Sequence, residues 1–274
     1  MIAYLNGKYL SENDLKISPN DRGFLFADGV YEFMSFYYDD FFLFDEHIIR
    51  LKRSLKEISI NLPEVENIGE ICYRLIDLNK FQGDKIHIYI EITRGVRFPR
   101  SHQFPPENHP KTIYITPLPF NSRSEEKENG VKAITTEDIR WARCDIKTIA
   151  LLPNVLAMQK AIVQNASESL FVRDGNIMEG THSNFFAVKN GILYTPPLSN
   201  FILRGTIRDF LINRCKEIQV EVVEEDIQID KLSSFDEFFI TSTTYEITPV
   251  IQIDNIMIGK GKPGNLTRKL QKEL

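Results

Sequence analysis

The stretch KIHIYIEIT, Lys85–Thr93, is the clearest β-strand in the chain. Isoleucine stands at every second position, 86, 88, 90 and 92, and mostly polar residues stand between. Successive side chains of a strand point to opposite faces, so the isoleucines would share one face. The stretch therefore predicts a strand with one apolar face, and with it a sheet in the first half of the chain.

Strand and helix patterns alternate on the amino-terminal side of this stretch. Asn6-Gly7 lies between two short alternating runs, which is typical of a hairpin with a two-residue turn. The aromatic-rich run Val30–Tyr38 predicts a further strand. Asp45 is expected to cap a helix, because apolar residues recur every three or four positions over Ile48–Ile58. A second helix is expected around 68–75.

The pattern breaks on the carboxyl-terminal side, at about 119–130. This segment combines Pro119 with polar residues and ends in Asn129-Gly130, so it is the candidate linker. It divides the chain into an amino-terminal domain, 1–120, and a carboxyl-terminal domain, 121–274.

Hairpin signals dominate the second domain. Short apolar runs flank Asp174-Gly175 and Asn190-Gly191, and helices are expected near 154–165 and 206–217. Several hairpins with flanking helices predict an α+β chain, a mixed α/β fold in two domains.

Composition excludes several classes of protein. The formal net charge of −5 gives no general attraction to nucleic acid or to an anionic membrane. The three cysteines lie far apart, which argues for reduced thiols and against a zinc site. No stretch approaches the roughly 20 apolar residues that a membrane span needs, and the start does not resemble a signal peptide. A cytoplasmic location is expected.

Four segments carry residues that are suited to chemistry: Trp141–Lys147, Ile177–Asn184, Leu203–Thr206 and Thr241–Thr244. Lys147 could act as a neutral, nucleophilic amine, and Glu179 could hold the nitrogen of a heteroaromatic ring. The other two segments suit an anion, through a helix amino terminus and a row of hydroxyls. Taken singly, each segment has a commoner explanation, either a surface lysine or a turn.

Taken in order, these segments resemble the class IV (fold type IV) family of pyridoxal-phosphate-dependent aminotransferases, and its D-amino-acid transaminase group most of all. The resemblance runs from Asn6-Gly7 to Arg268–Leu270. Its most specific pieces are Asp21–Gly23, Asp28–Glu32, Glu46-His47, Arg50-Leu51, Thr93–Gly95, Asp138–Trp141, Arg143–Lys147, Glu179-Gly180, Thr241–Thr244 and Glu246–Pro249.

The resemblance implies a pyridoxal 5′-phosphate cofactor between the two domains, with Lys147 as the Schiff-base lysine and as the group that moves the proton. It implies that Glu179 is the partner of the pyridine nitrogen and that Arg50 binds the phosphate. The remaining cofactor contacts would come from Leu203 against the ring and from Thr206, Ile207, Ser242 and Thr243 around the phosphate.

The same resemblance implies a substrate. In the D-amino-acid group an Arg-x-His pair reaches across a homodimer and, with a tyrosine, holds the substrate α-carboxylate. Arg100, His102 and Tyr31 match that set. The expected donor is D-alanine or D-glutamate, and the expected acceptor is a 2-oxo acid.

Several positions depart from the family pattern. His182 stands in Thr181-His182-Ser183, where the family has small hydroxyl residues. The order of the two residues Thr206-Ile207 is the reverse of the order in close relatives. Phe33 and Ser35 replace a smaller apolar residue and a lysine, and Tyr245 replaces a small residue. Bulk at positions 33 and 245 would reshape the pocket for the substrate side chain.

Three alternatives remain open from the sequence. A branched-chain L-amino-acid aminotransferase and an aminodeoxychorismate lyase share the lysine and the glutamate. A non-catalytic ligand-binding relative shares the scaffold, but it would have no need of the proton-shuttling amine of Lys147.

Overall fold

The structure, a computed structural model, describes all 274 residues and divides into two compact units. Unit 1 comprises Met1–Asn121 and Ile146–Ala150, and unit 2 comprises Ser122–Asp145 and Leu151–Leu274. The sequence assigned Lys147 to the carboxyl-terminal domain, whereas its short segment packs within unit 1. The reason is backbone pairing, since Val30 and Thr148 form an antiparallel bridge.

Unit 1 contains a six-stranded sheet in which every neighbouring pair is antiparallel. Its strands are β1 (Ile2–Leu5), β2 (Lys8–Ser11), β3 (Gly29–Tyr37), β4 (Asp40–Phe41), β5 (Lys85–Thr93) and β6 (Thr112–Pro119). They lie in the order β2-β1-β6-β5-β3-β4. β5 confirms the strand predicted from KIHIYIEIT. The hairpin at Asn6-Gly7 is also confirmed, with both residues at positive φ.

The helices of unit 1 are α1 (Arg22–Phe26), α2 (Phe44–Glu57) and α3 (Ile68–Asn79). The isoleucines of β5 join the apolar faces of α2 and α3 in one hydrophobic core. The predicted cap at Asp45 is wrong, because α2 begins after Leu43, which takes a left-handed conformation. Asp45 lies in the first turn instead, where a carboxylate is still favourable beside the positive end of the helix dipole.

Unit 2 contains a ten-stranded mixed sheet. Its strands are β7 (Val131–Glu137), β8 (Glu168–Arg173), β9 (Asn176–Gly180), β10 (Asn184–Lys189), β11 (Ile192–Thr195), β12 (Val222–Glu224), β13 (Ile227–Gln228), β14 (Glu237–Ser242), β15 (Glu246–Ile253) and β16 (Ile256–Met257). The order is β12-β11-β10-β14-β15-β7-β8-β9-β13, with β16 paired to β15. Both predicted hairpins, β8–β9 and β10–β11, are confirmed.

The helices of unit 2 are α4 (Ser124–Asn129), α5 (Leu152–Val163), α6 (Thr206–Glu217) and α7 (Asn265–Gln271). α4 occupies half of the segment that the sequence suggested as a linker, 119–130. Helix α6 packs on the sheet around the stacked rings of Phe186 and Phe239, whose centroids lie 4.9 Å apart. None of the seven helices is both long and apolar enough to cross a membrane. The mixed α/β fold class is confirmed.

Candidate active site

Lys147 is fixed by its backbone to β3 and α2 of unit 1. Its carbonyl accepts from the Tyr31 N–H at 3.0 Å, and its own N–H donates to Ser54 Oγ at 3.2 Å. The ammonium lies 4.0 Å from the centroid of the Tyr31 ring. The main chain of this lysine is therefore held from two sides, and the flexible side chain rests on an aromatic face.

A buried ion cluster of Glu32, His47 and Arg50 lies in the same unit. Arg50 donates from Nε to Glu32 Oε2 at 3.0 Å and from Nη2 to Oε1 at 2.5 Å, and His47 Nδ1 lies 3.0 Å from Oε1. Burial raises the pKa of the Glu32 carboxyl, but Arg50 and His47 outweigh it and hold that pKa well below its usual range. Glu32 is therefore an anion that fixes the plane of the Arg50 guanidinium.

For His47, burial is the larger effect. Burial lowers the pKa of the imidazole, and the attraction of Glu32 offsets that lowering only in part. His47 is therefore neutral at physiological pH, and the charge of Glu32 is balanced by Arg50. Sequence reasoning assigned Arg50 a role and missed both partners. The available signal was an acidic residue within the otherwise apolar and aromatic run of β3.

The predicted substrate residues of unit 1 do not all meet. Tyr31 lies beside Lys147, whereas Arg100 and His102 are exposed and both contact the ring of Phe26. The Arg22 guanidinium donates to the Ser101 carbonyl at 2.6 Å and so holds the loop between them. Within one chain, Arg100 and His102 form no hydrogen bond or ring contact with Tyr31.

Glu179 is the penultimate residue of strand β9 in unit 2, and its buried carboxylate accepts from three donors. Arg140 Nη1 donates to Oε1 at 2.5 Å, and Oε2 accepts from the Leu203 N–H at 3.0 Å and from Asn184 Nδ2 at 3.3 Å. Burial raises the pKa of Glu179 to about 7, even though Arg140 and the Leu203 N–H act in the other direction. Near neutral pH this carboxyl is therefore poised between its two protonation states.

Arg140 is itself held in place. Its Nε and Nη2 donate to the two oxygens of Asp138 at 2.9 and 3.0 Å, and its guanidinium lies 4.1 Å from the centroid of Phe171. The sequence placed Asp138 and Arg140 in a family motif without a role. In an extended segment, side chains two residues apart point the same way, so the spacing of Asp138 and Arg140 could have predicted that they pair.

Three segments of unit 2 converge on Asn184. This residue pairs with Thr241 across β10 and β14, and its Nδ2 donates to the Leu203 carbonyl at 2.8 Å. A Cβ added to Gly205 would lie only 2.0 Å from Asn184 Oδ1. The loop Leu203–Gly205, the start of α6 and the end of β14 are therefore packed around one amide.

This convergence brings together the groups predicted to bind a phosphate. Gly205 is the N-cap of α6 and no side chain caps that helix, so the N–H groups of Thr206 and Ile207 point out of its first turn. Thr241 Oγ1 is buried and has no hydrogen-bond partner. Ser242 Oγ lies next in the chain and contacts Thr244 Oγ1 at 3.2 Å. A helix amino terminus beside these hydroxyls suits an anion.

The sequence model of the amino-transferase class IV family matches residues 29–253. The chain belongs to the class IV aminotransferase family. This confirms the resemblance seen in the sequence and the expectation of an aminotransferase. The family match includes Lys147, Glu179 and Arg50, and it ends at the last residue of β15.

Individual relatives agree with this assignment. The chain is 40% identical over 270 residues to D-alanine aminotransferase of Staphylococcus aureus (strain N315), covering 98% of this chain and 94% of that protein. It is 39% identical over 275 residues to D-alanine aminotransferase of Bacillus licheniformis, covering 100% of this chain and 96% of that protein.

Solved structures confirm the fold. The branched-chain amino acid aminotransferase of Escherichia coli superposes with a TM-score of 0.90 at 26% identity, covering 99% of this chain and 92% of that chain. The branched-chain aminotransferase of Thermoproteus uzoniensis gives 0.87 at 24% identity, covering 100% and 93%. Two branched-chain aminotransferases therefore share the fold of this chain.

Proposed function

We propose that this protein transfers the amino group of a D-amino acid, D-alanine or D-glutamate, to a 2-oxo acid, with pyridoxal 5′-phosphate as cofactor. The observation that carries the proposal is the 40% identity, over nearly the full length of both chains, to a D-alanine aminotransferase. The similarity to branched-chain aminotransferases is weaker in sequence, at 26% identity, although the fold is shared.

The residues present fit this cofactor at both of its ends. Glu179 has a pKa of about 7, so a protonated pyridine nitrogen beside it would hold it as the anion. The start of α6 and the buried Thr241 hydroxyl, which lacks a partner, suit the phosphate. When bound, the cofactor supplies the electron sink that stabilises negative charge at the substrate α-carbon.

The other residues then have defined tasks. Lys147 would bind the cofactor covalently, and its amine, once released by the substrate, would move the proton at the α-carbon. Arg50 would bind the phosphate with a guanidinium whose orientation is fixed by Glu32. Leu203 would pack on the ring, and its N–H orients Glu179.

Tyr31, Arg100 and His102 would bind the substrate α-carboxylate, with the arginine and histidine contributed by a second copy of the chain. Their exposure within one chain supports this part of the proposal. An Arg100→Ala change is expected to lower the rate with D-alanine by about 100-fold, because a charge-assisted hydrogen bond is lost. An unchanged rate would contradict the assignment.

A homodimer is proposed for the same reason, and helix α5 gives it a second argument. Leu152, Val155, Leu156, Ile162 and Val163 recur on one side of α5 and are all exposed. An amphipathic helix with its apolar side in water is unusual for a monomer, because contiguous exposed apolar surface favours association. A second copy of this chain is the partner that this proposal assigns to the face.

The test is a visible spectrum of the purified holoenzyme before and after addition of D-alanine, and separately of L-leucine. Loss of the absorption band of the bound cofactor with D-alanine alone is the expected result. A change with L-leucine alone would make the protein a branched-chain aminotransferase. A band that neither amino acid changes would favour the lyase, and a protein that takes up no pyridoxal phosphate would be a non-catalytic relative.

A further inference from the structure

Two of the residues that depart from the family pattern, His182 and Tyr245, stack on each other. Their ring centroids lie 4.7 Å apart with an interplanar angle of 26°. The residues come from different loops of unit 2, since His182 lies between β9 and β10 and Tyr245 between β14 and β15. Sequence analysis expected the bulk of Tyr245 to reshape the pocket for the substrate side chain. The structure shows this ring buried against the imidazole of His182.

Tyr245 is a rigid support. It is only 1% exposed, its hydroxyl donates to the Ser167 carbonyl at 2.6 Å, and its ring carries the guanidinium of Arg123 at 4.3 Å. Burial raises the pKa of the phenol, so the ring stays neutral. Arg123 is paired with Glu126 at 2.9 Å, which balances its charge. The position of His182 is therefore set from one side by a packed, uncharged ring.

A buried carboxylate fixes His182 from the other side. Glu168 is fully buried and accepts from the Thr181 N–H at 2.9 Å, from Thr181 Oγ1 at 2.6 Å and from Ser183 Oγ at 2.8 Å. Because the only hydroxyl proton of Thr181 is given to Glu168, its oxygen must accept from His182 Nδ1, which lies 3.0 Å away. Nε2 is therefore the nitrogen of this imidazole that is not engaged in the contact with Thr181.

The Glu168 carboxylate also lies close to the imidazole, with Oε2 3.6 Å from Nδ1. The side chain of His182 is 35% exposed, so it remains accessible to a ligand, unlike Tyr245 and Glu168.

His182 is linked, through the chain and through its stacking partner, to both groups that are proposed to hold the cofactor in unit 2. It follows Glu179 by three residues, and the N–H of its stacking partner Tyr245 donates to Ser242 Oγ at 3.1 Å. The imidazole and the ring that supports it therefore belong to the segments that carry the proposed pyridine contact and the proposed phosphate contact. A substrate joined to that cofactor would bring its side chain into the same region.

We infer that His182 is a specificity residue that binds the second carboxylate of an acidic amino acid or of a 2-oxo diacid. The inference rests on the proposed aminotransferase function and chooses between its two donors in favour of D-glutamate. The ligand chemistry is a carboxylate carried on a short side chain, which accepts a charge-assisted hydrogen bond from Nε2. Tyr245 and Glu168 act through His182, as positioning residues.

The experiment compares D-glutamate, D-glutamine and D-alanine in stopped-flow measurements of the first half-reaction of the holoenzyme. D-glutamine matches D-glutamate in size and lacks its charge. The variants are His182→Ser and His182→Asn, and Asn213→Ser, at an exposed position of α6, is the control. His182→Asn keeps a hydrogen-bonding group without the charge and serves if His182→Ser does not fold.

The expected result for His182→Ser is a loss of about tenfold in the second-order rate constant for D-glutamate, mainly through weaker binding. The constants for D-glutamine and D-alanine should change less than about twofold. Asn213→Ser should keep the wild-type ratios. Equal losses with all three donors, or no change with any of them, would overturn the inference.

The failure of the proposed function has a different signature. Wild-type enzyme that reacts with no D-amino acid would contradict that function, whatever the variants do. The inference would then be measured with L-glutamate and L-glutamine on the same proteins. A selective loss with L-glutamate would support the carboxylate contact, and an unchanged ratio would overturn it.

Discussion

Arg140 and Glu179 form a buried ion pair, with Nη1 and Oε1 2.5 Å apart and both side chains no more than 7% exposed. We expect Arg140→Met to leave Glu179 without its cation, so that burial raises the pKa of the carboxyl further. The protonated form would not hold a pyridinium proton, and cofactor retention at pH 7 should fall by at least about tenfold, because breaking a buried pair is costly. Activity should recover partly at higher pH. Equilibrium dialysis and a pH–rate profile check this.

Arg143→Met is the matched control for that experiment. Arg143 lies three residues further on and pairs with Asp145, but its side chain is 41% exposed. Its replacement should leave cofactor retention and the pH profile unchanged, since exposed pairs contribute little. Equal effects from both replacements would show that the local charge, and not the contact with Glu179, is what matters.

The raised pKa of Glu179 has a consequence for stability without cofactor. The folded protein keeps a proton up to about pH 7 that the unfolded chain releases near pH 4.5. This group therefore contributes stability that is fully present below pH 4.5 and is lost as the pH rises through 7, by roughly 3 kcal/mol. Thermal melting of cofactor-free Glu179→Gln should depend less on pH between 5 and 8. A wild-type curve parallel to that of the variant would contradict this.

Glu32→Gln should be strongly destabilising, because it leaves Arg50 as a buried, uncompensated charge. We expect a loss of about 3–5 kcal/mol in the free energy of unfolding, together with weaker binding of pyridoxal phosphate. Glu91→Gln, on the adjacent strand β5 and half-buried, is the control and should cost less than about 1 kcal/mol. Urea unfolding of both variants measures the difference, and similar losses would refute the special role of Glu32.

Gly205→Ala should weaken cofactor binding, although Gly205 has no side chain that could contact the cofactor. The new Cβ would lie 2.0 Å from Asn184 Oδ1, so the amide that donates to Glu179 must move. We expect at least about a fivefold weaker affinity for the cofactor, which corresponds to about 1 kcal/mol. Gly175→Ala, a hairpin glycine whose Cβ would meet nothing within 4 Å, is the control for affinity. Equal affinities in the two variants would contradict the prediction.

Val155→Lys should shift the proposed dimer toward monomer, because it places a charge in the middle of the exposed apolar side of α5. Light scattering after size-exclusion chromatography measures the mass. Asn213→Lys puts the same charge at an exposed position of α6 and should not change the mass. A wild-type protein that is monomeric at micromolar concentration would refute the dimer, as would a Val155→Lys variant that stays dimeric.

Local patterns in the sequence predicted much of the fold. The hairpins at Asn6-Gly7, Asp174-Gly175 and Asn190-Gly191 were predictable, because their turns require positive φ and the neighbouring runs alternate. The start of α2 was not, because Leu43 caps it in a left-handed conformation that leucine rarely adopts. The parallel pairing of β7 with β8 and β15 was also not predicted, since pairing between distant segments leaves no local pattern.

The candidate site was likewise predictable only where the sequence has a local motif. Lys147, Glu179 and Arg50 followed from motifs, although their roles are still proposals. Glu32 and Arg140, which hold two of these residues in place, stand in motifs that mark them as unusual without identifying Arg50 and Glu179 as their partners. The stack of His182 on Tyr245 was out of reach, because 62 intervening residues separate the two rings in the chain. Residues that are distant in the chain and come into contact only in the folded protein leave no recognisable spacing in the sequence.

The chain passes between the two units three times, after Asn121, after Asp145 and after Ala150. Unit 1 therefore cannot complete its fold when its first 121 residues leave the ribosome, because Ile146 belongs to its core and Thr148 pairs with Val30. At roughly 5–20 residues per second, the missing piece arrives a few seconds later. The speed of translation between codons 122 and 150 thus sets how long a nascent, unfinished domain is exposed to chaperones and proteases.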